Sequence, residues 1–73
     1  ISIIVSFDIP EKISHWRLWL RTALISMGFT KIQKSVWLGK IKIPKEFIED
    51  INTYKLGQYV HVFKVLEEGT LIK

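Results

Sequence analysis

Cysteine is absent from this chain, so no disulfide can staple it and no zinc site with thiolate ligands can form. Histidine is scarce: His15 and His61 are the only two, too few for a structural zinc site without carboxylate help. Long apolar runs are missing as well. The uncharged stretch from Ile1 to Phe7 is far too short to span a bilayer. No basic segment leads into a longer apolar one, as a secretory signal requires. No internal repeat or low-complexity segment is visible. These absences set the expectation of a cytoplasmic protein with no membrane partner.

What is there is small. The chain has 73 residues, which is one domain, 1–73. A domain of this size buries only about 60% of the surface its unfolded chain exposes, so it is marginal by itself. With disulfides and zinc excluded, oligomerisation is the remaining source of stability, and a homodimer is the default expectation. The composition, 48% hydrophobic and 25% charged, is ordinary for a globular fold. The formal net charge of +4 favours an anionic partner such as DNA, although a lysine-rich solvated surface has the same composition. The chain starts at Ile1 rather than Met, which is expected of one domain taken from a longer protein.

Residues 1–9, ISIIVSFDI, are rich in β-branched side chains and stop at Pro10, so they read as a strand. Ile3, Val5 and Phe7 share one face; Ser2, Ile4, Ser6 and Asp8 share the other. Pro10 suits a helix start. From 12 to 27, Ile13, Trp16, Leu20, Ala23, Leu24 and Met27 recur every three or four residues as one apolar stripe, with Gly28 at the C-cap position. Leu18 and Ile25 lie off that stripe.

Residues 30–38 read as extended, with a break near Lys34 that makes a tight hairpin. Ile32, Val36 and Leu38 are expected to face the helices, with Ser35 and Trp37 facing the other way. Pro44 opens a short helix whose buried side is Phe47, Ile48 and Ile51. Residues 58–66 form a strand with Val60 and Val62 on one face and His61 and Phe63 on the other. Glu67, Glu68 and Gly69 turn the chain into a short final strand, 70–72. This order predicts an α+β, ferredoxin-like βαββαβ antiparallel sheet with two helices on one face, plus a short C-terminal strand. The bare face would carry Ile4, Ser6, Asp8, Ser35, Trp37, His61 and Phe63. A second copy packed against it would cover the apolar part, with Trp37 as an interface anchor.

Several of these strings, taken together, carry a resemblance. Val5-Ser6-Phe7-Asp8-Ile9-Pro10-Glu11, Arg17 and Arg21 on the helix, Met27-Gly28-Phe29, and Gln33-x-Ser35-Val36-Trp37 are similar to the "Cas-two" family of small CRISPR-associated adaptation proteins. They are more similar still to the domain of that fold in PaaX-type transcriptional regulators. The resemblance covers roughly residues 2 to 65. It departs from the stand-alone family at Leu38, where an acidic residue is common, and no winged-helix DNA reader is present.

The resemblance implies a dimeric, nucleic-acid-associated module. In the regulators the module scaffolds while DNA is read elsewhere. In the adaptation proteins the dimer bridges integrase subunits and holds DNA, in some members with Mg²⁺-dependent endonuclease activity. It implies that Asp8 is the catalytic residue and metal ligand of such an activity. From its position alone, Asp8 has a second reading, a cap accepting from the backbone N–H of Glu11 or Lys12.

Lys12, Arg17, Arg21, Lys31 and Lys34 are candidate phosphate contacts, giving affinity without sequence readout. Alternatively, Arg17 or Arg21 pairs with Asp8 or Glu11 and holds the strand–helix corner. Ser6 and Ser35 have no neighbouring base, which argues against covalent catalysis. His61 is a candidate acid or base, or a packing residue.

Overall fold

The computed structural model describes residues 2–65. The anticipated final strand and the turn before it lie outside that range. Strand β1 is Ser2–Phe7. A 3₁₀ turn at Glu11–Ile13 precedes helix α1, His15–Ser26. Strands β2, Thr30–Gln33, and β3, Val36–Gly39, form a hairpin. Helix α2, Lys45–Thr53, and strand β4, Val60–Val65, follow. The sheet order is β2-β3-β1-β4, every pair antiparallel, with both helices on one face. The βαββαβ, ferredoxin-like expectation is met.

The helical stripe behaves as its spacing requires. Leu20 and Leu24 are fully buried, and Ile13, Trp16, Ala23 and Met27 pack around them. Each such leucine contributes about 1.5–3 kcal/mol by leaving water. Pro10 does not sit inside α1. It is extended and precedes the 3₁₀ turn, so α1 starts later than position 12. Gly28 ends the helix at φ 92°, where a side chain would be strained. The helices are joined by aromatic rings: Trp16 stacks on Tyr54 with centroids 4.5 Å apart, and Trp19 lies parallel to Phe47 at 6.0 Å. Phe47 and Ile51 are buried, but Ile48 is exposed, because α2 is short and turns only one narrow side to the sheet.

The register assigns the two faces. Val62, Val5, Trp37 and Lys31 line up across the four strands on the helix side. Phe63, Ile4, Leu38 and Thr30 line up on the bare side. The split of β4 into Val60 and Val62 against His61 and Phe63 is as expected.

The facing of β3 is the reverse of the expected one. Trp37 is only 3% exposed and belongs to the core, while Val36 and Leu38 are half-buried on the bare face. Val36, Trp37 and Leu38 are all apolar, so hydrophobicity could not choose between the two phases, whereas pairing Trp37 to Val5 does. Ile32, expected inside, is 51% exposed beside the β-bulge between Lys31 and Gln33. Ser35 is not a strand residue. It sits in the hairpin turn at φ 65°. Gly39, next on Trp37's face, lies directly under the Phe29 ring.

Candidate nucleic-acid interface and anion cleft

At the C-terminal end of β1 the backbone is pinned on both sides. The Phe7 amide donates to the Ser35 carbonyl at 3.1 Å, and the Asp8 amide donates to the Tyr59 carbonyl at 2.9 Å. The chain then turns through Ile9 and Pro10 into the 3₁₀ turn, leaving a cleft of about 470 Å³ between α1 and the β2–β3 hairpin. Phe7 and Trp37 contribute apolar lining, Arg17 and Arg21 come from α1, Lys31 from β2, and Lys34 and Ser35 from the hairpin turn. Asp8 and Glu11 bring the only two carboxylates among the described residues of the lining.

Arg17 is committed to this corner. Its Nη2 donates to the Ile9 carbonyl at 2.8 Å and to Glu11 Oε1 at 3.3 Å. The bond to Ile9 is part-buried, whereas Glu11 is nearly fully exposed, so the ion pair adds little and the carbonyl bond does more. Arg17 does pair with Glu11, as the corner-holding alternative expects, but the Ile9 carbonyl is the stronger tie.

Arg21, Lys31 and Lys34 have no hydrogen-bond or ion-pair partner among the described residues. The Asp8 carboxylate has none either. The expected cap is not made: no side chain caps the 3₁₀ turn at Pro10 or α1 at Ser14. The buried indole Nε1 of Trp37 also lacks an acceptor among the described residues. Such a donor costs about 1–3 kcal/mol.

Of the five candidate phosphate contacts, four share this cleft. Lys12 lies apart, in a smaller hollow with Pro10, Ile13 and Tyr59. Of the candidate interface residues, Ile4, Ser6, His61 and Phe63 share the bare face, Ser6 lying between His61 and Val36. Ser35 goes to the cleft and Trp37 to the core. Val36 and Leu38 are bare-face residues that sequence reasoning placed inside, and three apolar residues in a row gave no signal of phase.

A divalent cation would find few oxygen ligands among the described residues of the cleft. Mg²⁺ takes an octahedron of oxygens, and Asp8 offers one carboxylate among four cationic side chains while Glu11 is held by Arg17. No group of three or more potential metal-ligating side chains occurs among the described residues. Among those residues no helix is long and apolar enough to cross a membrane.

A four-stranded antiparallel sheet in the order β2-β3-β1-β4, covered by two helices on one side, defines a ferredoxin-like α+β domain. Residues 3–71 match the family model described as PaaX protein central Cas2-like domain, and the chain belongs to that family. No curated protein matches the chain.

Proposed function

We propose that this chain is the dimer-forming, nucleic-acid-associated module of a PaaX-type regulator, a non-catalytic scaffold that sets the spacing of DNA-reading parts carried elsewhere. The observation behind it is the apolar row Phe63–Ile4–Leu38 on the side of the sheet that no helix among the described residues covers. Phe63 is 53% exposed there. Packing that face against its copy would remove the row from water and enlarge a core too small to be comfortable alone. The formal net charge of +4, with Lys12 exposed outside the cleft, supports contact with a phosphate backbone, without base readout.

Sedimentation or light scattering tests the dimer: a mass of two chains is expected, and a wild-type monomer at every accessible concentration eliminates it. DNA contact is expected to be weak and to fall steeply with added salt. Absence of binding at low salt removes that part alone.

A second reading follows from the unpaired Asp8 carboxylate. In a pairing other than the bare-face one, two copies could share one Mg²⁺ between their Asp8 side chains, as an endonuclease or an integrase-bridging adaptation protein would use it. Metal-dependent cleavage that disappears in Asp8→Asn, with folding retained, would support it. Cleavage that survives the substitution rules Asp8 out.

A further inference from the structure

The cleft lies on the helix side of the sheet, opposite the bare face, so its chemistry is separate from dimer formation. We propose that it receives the phosphate group of a small ligand, held by Arg21, Lys31 and Lys34 over the Trp37 indole. Three elements deliver these cations to one recess: α1, β2 and the hairpin turn. None has an anionic partner among the described residues, and like charges gathered around one concavity repel until an anion enters. Arg17 is different. Bound to the Ile9 carbonyl and Glu11, it holds the wall of the cleft in place.

The second observation is independent of charge. Trp37 lines this cleft and its buried Nε1–H has no acceptor among the described residues. A phosphate oxygen that reaches the lining supplies one. Access requires the rim side chains to part, and Lys31 and Lys34 are exposed, flexible chains able to do so. The volume of about 470 Å³ falls within the range of small-molecule pockets, roughly 300–1,000 Å³. A duplex backbone is better served by cations spread along an exposed line than by a recess. Asp8 on the same lining opposes an anion, which makes it a control: removing its charge should strengthen binding.

The test is a titration of the ¹⁵N-labelled chain with pyrophosphate, against sodium chloride at matched ionic strength, following the indole N–H signals of Trp16, Trp19 and Trp37. The Trp37 signal should move while the other two stay. Arg21→Ala and Lys34→Ala, both at exposed positions, should each weaken binding at least tenfold, and Asp8→Asn should tighten it severalfold. A bare-face variant that is monomeric should bind pyrophosphate as the wild type does, so loss of the dimer and loss of this site are told apart. The proposal is overturned if the Trp37 signal does not respond at saturation, if chloride reproduces the response, or if both alanine variants bind normally. It is equally overturned if only duplex DNA, and not pyrophosphate, engages these residues.

Discussion

Val5 and Trp37 stand opposite each other across the β1–β3 ladder, and both side chains are closed to solvent. The pair places the largest side chain of the hairpin beneath the helices. Trp37→Ala is therefore expected to cost about 3–5 kcal/mol in urea unfolding, as truncation of a buried aromatic does. Trp37→Phe keeps most of the packing and removes a donor that has no acceptor among the described residues. Its cost should stay below about 1.5 kcal/mol. A Trp37→Ala protein as stable as wild type would contradict the core placement.

Two glycines should respond to alanine for different reasons. At Gly28 a new Cβ meets nothing within 4 Å, so the cost is that of φ 92° alone, about 1–2 kcal/mol. At Gly39 it would stand 2.7 Å from three carbons of the Phe29 ring. Overpacking of that kind costs about 1–3 kcal/mol. Combining Gly39→Ala with Phe29→Leu should recover part of the loss, whereas Gly28→Ala with Phe29→Leu should be additive; a double-mutant cycle on thermal unfolding separates the two.

The Arg17 guanidinium ties α1 back to the Ile9 carbonyl at 2.8 Å. Arg17→Ala should destabilise by about 1 kcal/mol, with little dependence on salt. Glu11→Gln touches only the exposed ion pair and should change stability by less than about 0.5 kcal/mol. Equal losses in the two variants would mean that the salt bridge, not the carbonyl bond, holds the corner.

On the bare face, Leu38→Ser and Phe63→Ser remove apolar area from both copies of a two-fold interface. Each lost contact counts twice, so each substitution should weaken dimerisation on the order of a hundredfold. His61→Ala, at a polar position of the same face, should change it far less. The monomer–dimer constant from analytical ultracentrifugation is the measurement, with circular dichroism to confirm retained structure.

The order of elements could be read directly from the residues. β-branched runs, a three-to-four-residue apolar stripe and two well-placed prolines are local signals, and local signals specify local structure. Period-two alternation also placed Ile3, Val5 and Phe7 against the helices, because Ser2, Ser6 and Asp8 fall at the alternate positions and leave Ile4 the one apolar residue there. The same logic failed in β3. Three consecutive apolar residues carry no phase, and only the pairing of Trp37 with Val5 supplies one. It failed again at Ile48, since how much of a short helix is covered depends on its neighbours.

For the site, the sequence alone named the cations, the aspartate and the family to which their spacing belongs. It grouped Arg17, Arg21, Lys31 and Lys34 with Lys12 as joint phosphate contacts, but it could not show that four of them line one cleft while Lys12 lies apart, because those distances are set by strand pairing and helix packing. Nor could it separate Arg17, already held by a carbonyl and a carboxylate, from Arg21, which is unpartnered among the described residues. Spacing along the chain determines which elements form; which side chains meet, and which charges remain unpaired, is decided only when those elements pack.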